Sequence, residues 1–296
     1  MRVTVNGKEY SFISNAIDET KYRESYFNLV DRVFGLDFKP WYLSGFCKGS
    51  FIPYTLFEGD AAVSTVGVVI NDFTWHEGSR KYIQISTVAT DPDHRCFGLS
   101  KWLTETVLNE WQSKCDCIYL YANDSVLDFY PKFGFIPVEE YLYYIPIKKT
   151  VGECRKIDLS VQNDVDILIN AYNKSNPFSL FKLLSGLDLM MFHCITFLRD
   201  HIYYIEEYDA VVIARLESNE LFCYDIFTDK QCSIRDILGI IASDDTTEAT
   251  LGFTPSDEAG YAVDKADEDD TTVFVMSRTE NIFLDSKITL PFLSRA

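Results

Sequence analysis

The sequence Asp91-Pro92-Asp93-His94-Arg95-Cys96-Phe97-Gly98-Leu99-Ser100 connects a predicted strand to a predicted helix. Residues 82–90 before it are rich in β-branched side chains, and residues 101–111 after it place apolar side chains at helical spacing. When a strand turns into a helix through such a loop, backbone N–H groups of the loop and of the first helical turn point at one spot, where the helix dipole favours negative charge. The stretch therefore predicts a phosphate-binding loop.

Three side chains of this loop suit it to a phosphate group. Gly98 has no Cβ, so the backbone can approach a ligand closely. Ser100 is small and adds a hydroxyl, and Arg95 adds a cation whose fork geometry matches phosphate oxygens. The pattern R-x-x-G-x-S is nevertheless common, and a glycine that merely starts a helix explains it about equally well.

A second motif downstream makes the first one much more specific. Residues 117–122 are typical of a buried strand, and they are followed by Asn123, Val126, Phe129 and Tyr130, then by residues 132–135, which read KFGF. The order of strand, R-x-x-G-x-small loop, amphipathic helix, strand and N-x-x-small-x-x-[FL]-Y-x-x-x-G-F resembles the GNAT superfamily of acyl-CoA-dependent N-acetyltransferases. The resemblance covers roughly residues 18 to 147.

The resemblance implies an α/β (α+β) fold, in which helices flank a mixed and mostly antiparallel sheet, and it implies acetyl-CoA as co-substrate without a metal. It also implies the residues that bind CoA. The backbone of Val88, Ala89 and Thr90 would hold the thioester carbonyl and the pantetheine arm, and Asn123 would bond that arm or neighbouring backbone. The pyrophosphate would lie on the loop formed by Arg95, Cys96, Phe97, Gly98, Leu99 and Ser100. Cys96 and Phe97 replace the small and basic residues often found there, and Ser100 replaces a usual glycine or alanine.

The same resemblance implies direct attack of an amine on the thioester in a ternary complex, with Tyr130 close to the CoA sulfur. A phenol suits the role of general acid because its unperturbed pKa lies within ~1.5 units of that of a thiol. The alternative is that Tyr130 only packs against its aromatic neighbours, Phe129, Phe133 and Phe135.

The general base is not evident from the sequence. Some members of the family carry a glutamate on the strand before the loop, but this chain has Gln84 and Ser86 there. Asp72, Glu77, a water chain or a group from the second half of the chain are the alternatives. The tail, residues 288–296, is too apolar to lie free in water, so we expect it to dock on a domain surface. It then serves either as a structural strap or as the source of the base, through the carboxylate of Ala296.

The chain length suits two domains. We predict a catalytic GNAT domain at residues 1–150, closed by a strand at 141–147, and a degenerate GNAT-like α+β domain at residues 151–296. The second half repeats the element order of the first, but its strand-to-helix turn at 228–233 lacks glycine and carries Asp229, which would repel a pyrophosphate. The alternative is an unrelated α+β domain.

Composition limits the partners. The net charge is −18; residues 1–150 carry 15 basic and 19 acidic side chains, and the rest carry 12 and 26. This charge argues against nucleic acid and anionic membranes, and it favours either solubility alone or attraction of a cationic amine acceptor, small or proteinaceous. The eight cysteines form no C-x-x-C pair, and the four histidines have no metal-ligand spacing, so we expect a cytoplasmic protein with reduced thiols. The sequence is also compatible with a homo-oligomer, with a longer acyl-CoA as donor, and with a sensor that binds acetyl-CoA without turnover.

Overall fold

Two mixed sheets, each flanked by helices, make up the computed structural model, which describes residues 1–75, 78–257, 260–267, 269–278 and 281–296. The helices are α1 (Arg23–Phe34), α2 (Lys39–Leu43), α3 (Leu99–Trp111), α4 (Gln162–Tyr172), α5 (Leu187–Thr196), α6 (Ile234–Ile241) and α7 (Ile282–Asp285). The strands are β1 (Arg2–Val5), β2 (Lys8–Ser14), β3 (Phe51–Glu58), β4 (Ala61–Trp75), β5 (Gly78–Thr90), β6 (Cys117–Ala122), β7 (Ile136–Val138), β8 (Tyr141–Pro146), β9 (Arg155–Lys156), β10 (Lys182–Leu183), β11 (Ile202–Ile205), β12 (Ala210–Glu217), β13 (Glu220–Phe227), β14 (Glu248–Leu251), β15 (Ala262–Lys265) and β16 (Thr272–Ser277).

The two sheets have related topologies. The first runs β1-β2-β3-β4-β5-β6-β16-β7, with β10 added to β4, and the second runs β15-β8-β14-β13-β12-β11-β9. In the first sheet the antiparallel strands β2 to β5 lead through α3 to β6, which is parallel to β5. In the second sheet the antiparallel strands β11 to β13 lead through α6 to β14, which is parallel to β13. The mixed α/β fold predicted from the sequence is confirmed, and the second half repeats the order of the first.

Two strands lie in a different sheet from the one that chain order predicts. The predicted closing strand at residues 141–147 forms as β8, but it pairs with β14 and β15 of the second sheet, so its assignment to the first sheet is wrong. Its inward side chains, Tyr143 and Ile145, are buried in the second core. In exchange, β16 from the second half lies between β6 and β7 of the first sheet. The division of the chain at residue 150 stays a prediction, and the sheets exchange strands across it.

Helices cover both faces of the first sheet. Side chains alternate between the faces of a strand, so Val68 packs with α3 while its neighbour Val69 packs with α1. The α3 side also contains Leu103 and Ile85, whereas the α1 side contains Leu29. The sheet is therefore closed on each face, and a ligand can enter its interior only where strands separate.

Such a separation occurs between β5 and β6. Their pairing ends at Ile85↔Leu120, and the β4–β5 register shifts where two residues of β5, Thr87 and Val88, lie opposite one residue of β4. Such a bulge bends a strand away from its neighbour. Thr87 has a φ of +43°, and a Cβ on Gly67 of β4 would lie 2.3 Å from the Thr87 hydroxyl oxygen and 2.9 Å from that of Ser86. Gly67 is thus required at this point for the bulge to form.

Candidate active site

A cleft of about 870 Å³ opens where β5 and β6 separate. Its walls come from the end of α1, the bulged part of β5, the end of β6 and the segment after β6, with the last residue of the tail between them. The lining residues are Val33, Phe34, Leu36, Ile85, Ser86, Thr87, Val88, Thr90, Arg95, Ser100, Tyr121, Ala122, Asn123, Ser125, Val126, Asp128, Phe129, Tyr130, Lys132 and Ala296. The two sequence motifs, which end at Ser100 and begin again at Asn123, therefore meet in one cavity.

The predicted phosphate loop borders this cleft and an adjoining hollow of about 290 Å³. Gly98 has a φ of +75° and starts α3, and its carbonyl accepts a hydrogen bond from Trp102 N at 3.0 Å. Within the described residues, no side chain caps the first turn of α3. The N–H groups at the start of the helix are therefore available to an anion, and Arg95 and Lys101 line the same hollow.

A residue outside both motifs braces this loop. Asn6, in the turn between β1 and β2, donates from Nδ2 to the Phe97 carbonyl at 2.8 Å. A Cβ on Gly98 would lie 2.7 Å from that Nδ2. Any side chain at position 98 would thus meet Asn6 as well as an unfavourable backbone conformation. No sequence signal pointed to Asn6, because 91 residues separate it from its partner.

Most residues predicted to bind CoA lie at these cavities. Val88, Thr90, Arg95, Ser100 and Asn123 line the main cleft, and Cys96, Gly98 and Leu99 line the adjoining hollow. Ala89 is 1% exposed, and its side chain belongs to the core under α1. Phe97 is 53% exposed. Neither of the last two lines a cavity, so any role in binding rests on their backbone, as the resemblance implies.

Tyr130 lies at the cleft among aromatic side chains. It is 5% exposed, and its ring centroid lies 5.1 Å from that of Phe129 and 6.0 Å from that of Phe274. Burial raises the pKa of its phenol to about 12. The side chain therefore keeps its proton near neutral pH, and it both packs among these aromatic rings and lines the cleft.

Ala296 is held at the cleft by Gln84. The Gln84 carboxamide donates from Nε2 to Ala296 O and accepts from Ala296 N through Oε1, both at 2.9 Å. Gln84 is fully buried on β5, at the position where the sequence showed no carboxylate. The predicted docking of the tail is observed: Leu290, Leu293 and Ser294 are all buried.

Of the two side-chain carboxylates considered as bases, Asp72 and Glu77, the structure describes Asp72. Asp72 lies outside the lining, and its Oδ1 is 2.7 Å from Lys81 Nζ. Glu77 lies outside the described residues. Asp128 lines the cleft. Among the described residues, no group of three or more His, Cys, Asp or Glu side chains could hold a metal ion.

The corresponding turn of the second half offers fewer backbone donors to an anion. Ser233 caps α6 by accepting a hydrogen bond from Arg235 N at 3.2 Å, and Thr228 Oγ1 accepts one from Lys230 N at 3.1 Å. Asp229 adds a negative charge there. The backbone donors that are available at α3 are thus partly used by side chains at α6.

Comparisons with known proteins agree with this geometry. Residues 19–138 match the family model described as an acetyltransferase (GNAT) domain, and this segment is therefore a GNAT domain. No curated protein matches the sequence.

Solved structures extend the likeness to most of the chain. The chain resembles a protein of Enterococcus faecalis V583 named "Probable N-Acyltransferase", with a TM-score of 0.61 and 13% identity over 90% of this chain and 72% of that one. It also resembles a GCN5-related N-acetyltransferase from Kribbella flavida, with a TM-score of 0.54 and 14% identity over 90% and 72%. Eis1 from Mycobacterium abscessus matches with a TM-score of 0.55 and 14% identity over 89% and 73%. At these identities the likeness shows the fold alone.

Among the described residues, the helices are all too short or too polar to cross a membrane.

Proposed function

We propose that this protein is an N-acetyltransferase that moves an acetyl group from acetyl-CoA to a primary amine. One observation carries the proposal: a single cleft joins the phosphate loop, the separated strands β5 and β6, Tyr130 and Ala296. A panel of amines, tested for release of CoA thiol with acetyl-CoA as donor, tests it. Thiol release that depends on the amine supports the proposal, and its absence with every amine would contradict it.

The donor site belongs to the first sheet. Arg95 and Ser100 lie at both cavities, and Lys132 adds a second cation at the main cleft. They suit the pyrophosphate, and the backbone of Val88 and Thr90 suits the pantetheine arm. Since α6 is capped by its own Ser233, calorimetry should find one acetyl-CoA site per chain. Two equivalent sites would contradict a degenerate second half.

The proposed reaction is a direct transfer. The amine arrives as an ammonium ion and loses one proton to a base, and its lone pair then attacks the thioester carbon. The C–S bond breaks while the new C–N bond remains, and Tyr130 gives its proton to the leaving sulfur. The extra proton on nitrogen passes through water to the Tyr130 phenolate, and the base releases the first proton to solvent. Most of the acceleration comes from holding the two reactants in line, with the acid adding to it.

We propose the α-carboxylate of Ala296 as the base. It lies in the cleft with Tyr130, and Gln84 donates to it. A chain extended beyond Ala296 would present an amide at this point and would lack that base.

We propose that the acceptor is a cationic amine whose carbon body is apolar. At one end of the cleft Val33, Phe34 and Leu36 form an apolar wall, and Phe34 is 43% exposed. Asp128 and the Ala296 carboxylate supply negative charge for the ammonium group. We further propose a cytoplasmic location, because the eight cysteines are all free.

The second candidate is an acetyl-CoA-binding module without turnover. Gln84 favours this second candidate, because it stands on β5 where some family members carry a glutamate. Both polar atoms of its carboxamide are hydrogen-bonded to Ala296. Acetyl-CoA binding by calorimetry without thiol release from any amine would favour this candidate over the enzyme.

A further inference from the structure

The residue next to Ala296 carries a buried charge. Arg295 is 8% exposed, and its Nη2 lies 3.1 Å from Glu140 Oε2 and donates to Thr289 Oγ1 at 2.7 Å. The guanidinium carbon also lies 4.9 Å from the ring centroid of Tyr121 and 5.0 Å from that of Phe292. The guanidinium is thus held both by a carboxylate and by two aromatic faces.

Glu140 is surrounded by donors. It is 6% exposed, and Oε1 accepts from Tyr121 OH at 3.2 Å, from Leu290 N at 3.0 Å and from Thr289 Oγ1 at 3.3 Å. It follows β7 of the first sheet and precedes β8 of the second, at the point where the chain passes from one sheet to the other. One carboxylate therefore ties together β6, the tail and the crossing between the sheets.

The backbone of the tail is held from both sides as well. Ser294 O accepts from Asn71 Nδ2 of β4 at 3.0 Å, and Arg295 O accepts from His193 Nε2 of α5 at 2.7 Å. Burial lowers the pKa of His193, so its ring is neutral and donates through Nε2. The tail follows one path to the cleft, and the Arg295 side chain is its charged anchor.

We propose that Glu140 is a positioning residue, which holds Ala296 in the cleft by pairing with Arg295. Glu140 does not itself line the cleft. It contacts the cleft through the tail and through Tyr121, and the proposal assigns its effect to the tail. Without the charge of Glu140, the buried Arg295 guanidinium would lose the carboxylate that faces it at 3.1 Å. Burying a charge without that compensation is unfavourable and favours release of the side chain to water. The catalytic consequence of this release rests on the proposed function, whereas the release itself does not.

The direct test measures release of the tail. Glu140→Gln keeps the shape of the side chain and removes its charge, and Glu139→Gln is the matched control, because Glu139 is exposed and pairs with Lys265. Each variant is treated with carboxypeptidase Y, and loss of Ala296 and Arg295 is followed by intact mass. We expect Glu140→Gln to lose them about tenfold faster than wild type or more, since local opening exposes the tail. Equal rates in all three proteins would overturn the proposal.

Steady-state kinetics distinguish the positioning role of Glu140 from a purely structural one. We expect Glu140→Gln to lower kcat by about 10²-fold, the effect of a displaced catalytic group, with KM for acetyl-CoA unchanged. In a chain ending at Ser294, the same substitution should lower kcat no further. A further loss in the shortened chain would show that Glu140 acts other than through the tail, and it would overturn the proposal.

A second variant keeps the test decisive if Glu140→Gln does not fold. Glu140→Gln with Arg295→Gln removes both charges, so no buried charge loses its carboxylate. Its tail should be released more slowly than that of Glu140→Gln but faster than that of wild type, because the ion pair that anchors the tail is gone. A double variant as resistant to the peptidase as wild type would contradict the proposal. If wild type acetylates no amine while Glu140→Gln still releases the tail, the proposed function fails and the positioning role stands.

Discussion

The carboxamide of Gln84 forms two hydrogen bonds, both 2.9 Å long, with the backbone of Ala296, which lies 212 residues further along the chain. An amide can match this pair of groups because it donates with one atom and accepts with the other. A glutamate at position 84 would still accept from Ala296 N, but it would face the terminal carboxylate with a like charge. The glutamine at position 84, which offers no carboxylate to act as the base, is thus the residue type suited to hold the tail.

Gln84→Glu should therefore impair the enzyme instead of supplying a base. We expect kcat to fall about tenfold or more, because like charges in contact cost several kcal/mol, and we expect carboxypeptidase Y to release the tail faster. Gln84→Met, which removes the hydrogen bonds without adding charge, is the control and should have a smaller effect. A rise in kcat in Gln84→Glu would show that a carboxylate on β5 can act as the base.

Adding one glycine after Ala296 should lower kcat while acetyl-CoA binding is unchanged. The added residue turns the Ala296 carboxylate into an amide and moves the charge away from its position beside Gln84. The rate of thiol release is measured against pH for both chains. Activity that survives with the same pH dependence would exclude a catalytic role for the terminal carboxylate.

Gly98→Glu should abolish acetyl-CoA binding with the fold retained. The new side chain would enter the phosphate loop with a negative charge and would collide with Asn6, whose Nδ2 lies 2.7 Å from the added Cβ. Gly59→Glu is a matched control, since Gly59 has a φ of +61° and its added Cβ meets nothing within 4 Å. Calorimetry with acetyl-CoA on both variants tests whether this loop binds the phosphates. Equal affinity in Gly98→Glu and wild type would refute that role.

Tyr130→Phe should lower kcat by ~10²–10⁴-fold, the usual contribution of general acid catalysis, with little change in the affinity for acetyl-CoA. Because burial raises the pKa of Tyr130 to about 12, the acid stays protonated through pH 10. Loss of rate on the alkaline side should therefore begin nearer pH 12 than pH 10 in the wild-type enzyme. Tyr203→Phe, on the second sheet, is the control; an unchanged kcat in Tyr130→Phe would leave Tyr130 with only its packing role.

Asp225→Asn should stabilise the protein at neutral and alkaline pH. Asp225 is buried, and burial raises the pKa of its carboxyl to about 7, against ~3.9 in an unfolded chain. Between these values the folded state binds more protons than the unfolded state, so this residue makes stability fall as pH rises from ~4 to about 7. The Tm difference between variant and wild type should therefore grow across this range and level off above it. A Tm difference that does not change with pH would contradict the raised pKa of Asp225.

The local part of the site could be predicted from the sequence. The phosphate loop depends on contiguous residues, because Gly98, the start of α3 and the N–H groups around them are set by neighbours along the backbone. Asn123 and Tyr130 could be placed for a similar reason, since a strand and one short segment carry both to the cleft. The repeated order of strands and helices in the two halves also follows from local patterns of polarity.

Which strands pair with each other, and which distant side chains meet, was decided only in the tertiary structure. The alternating pattern of β8 suits any sheet with one buried face, and it does not specify β14 and β15 as the neighbouring strands. The same holds for β16, which the sequence did not reveal as a strand of the first sheet. The pairs Gln84–Ala296 and Glu140–Arg295 join residues more than 150 positions apart. Such contacts depend on which strand edges and buried donors remain free once the sheets have formed, and no pattern of neighbouring residues contains that information.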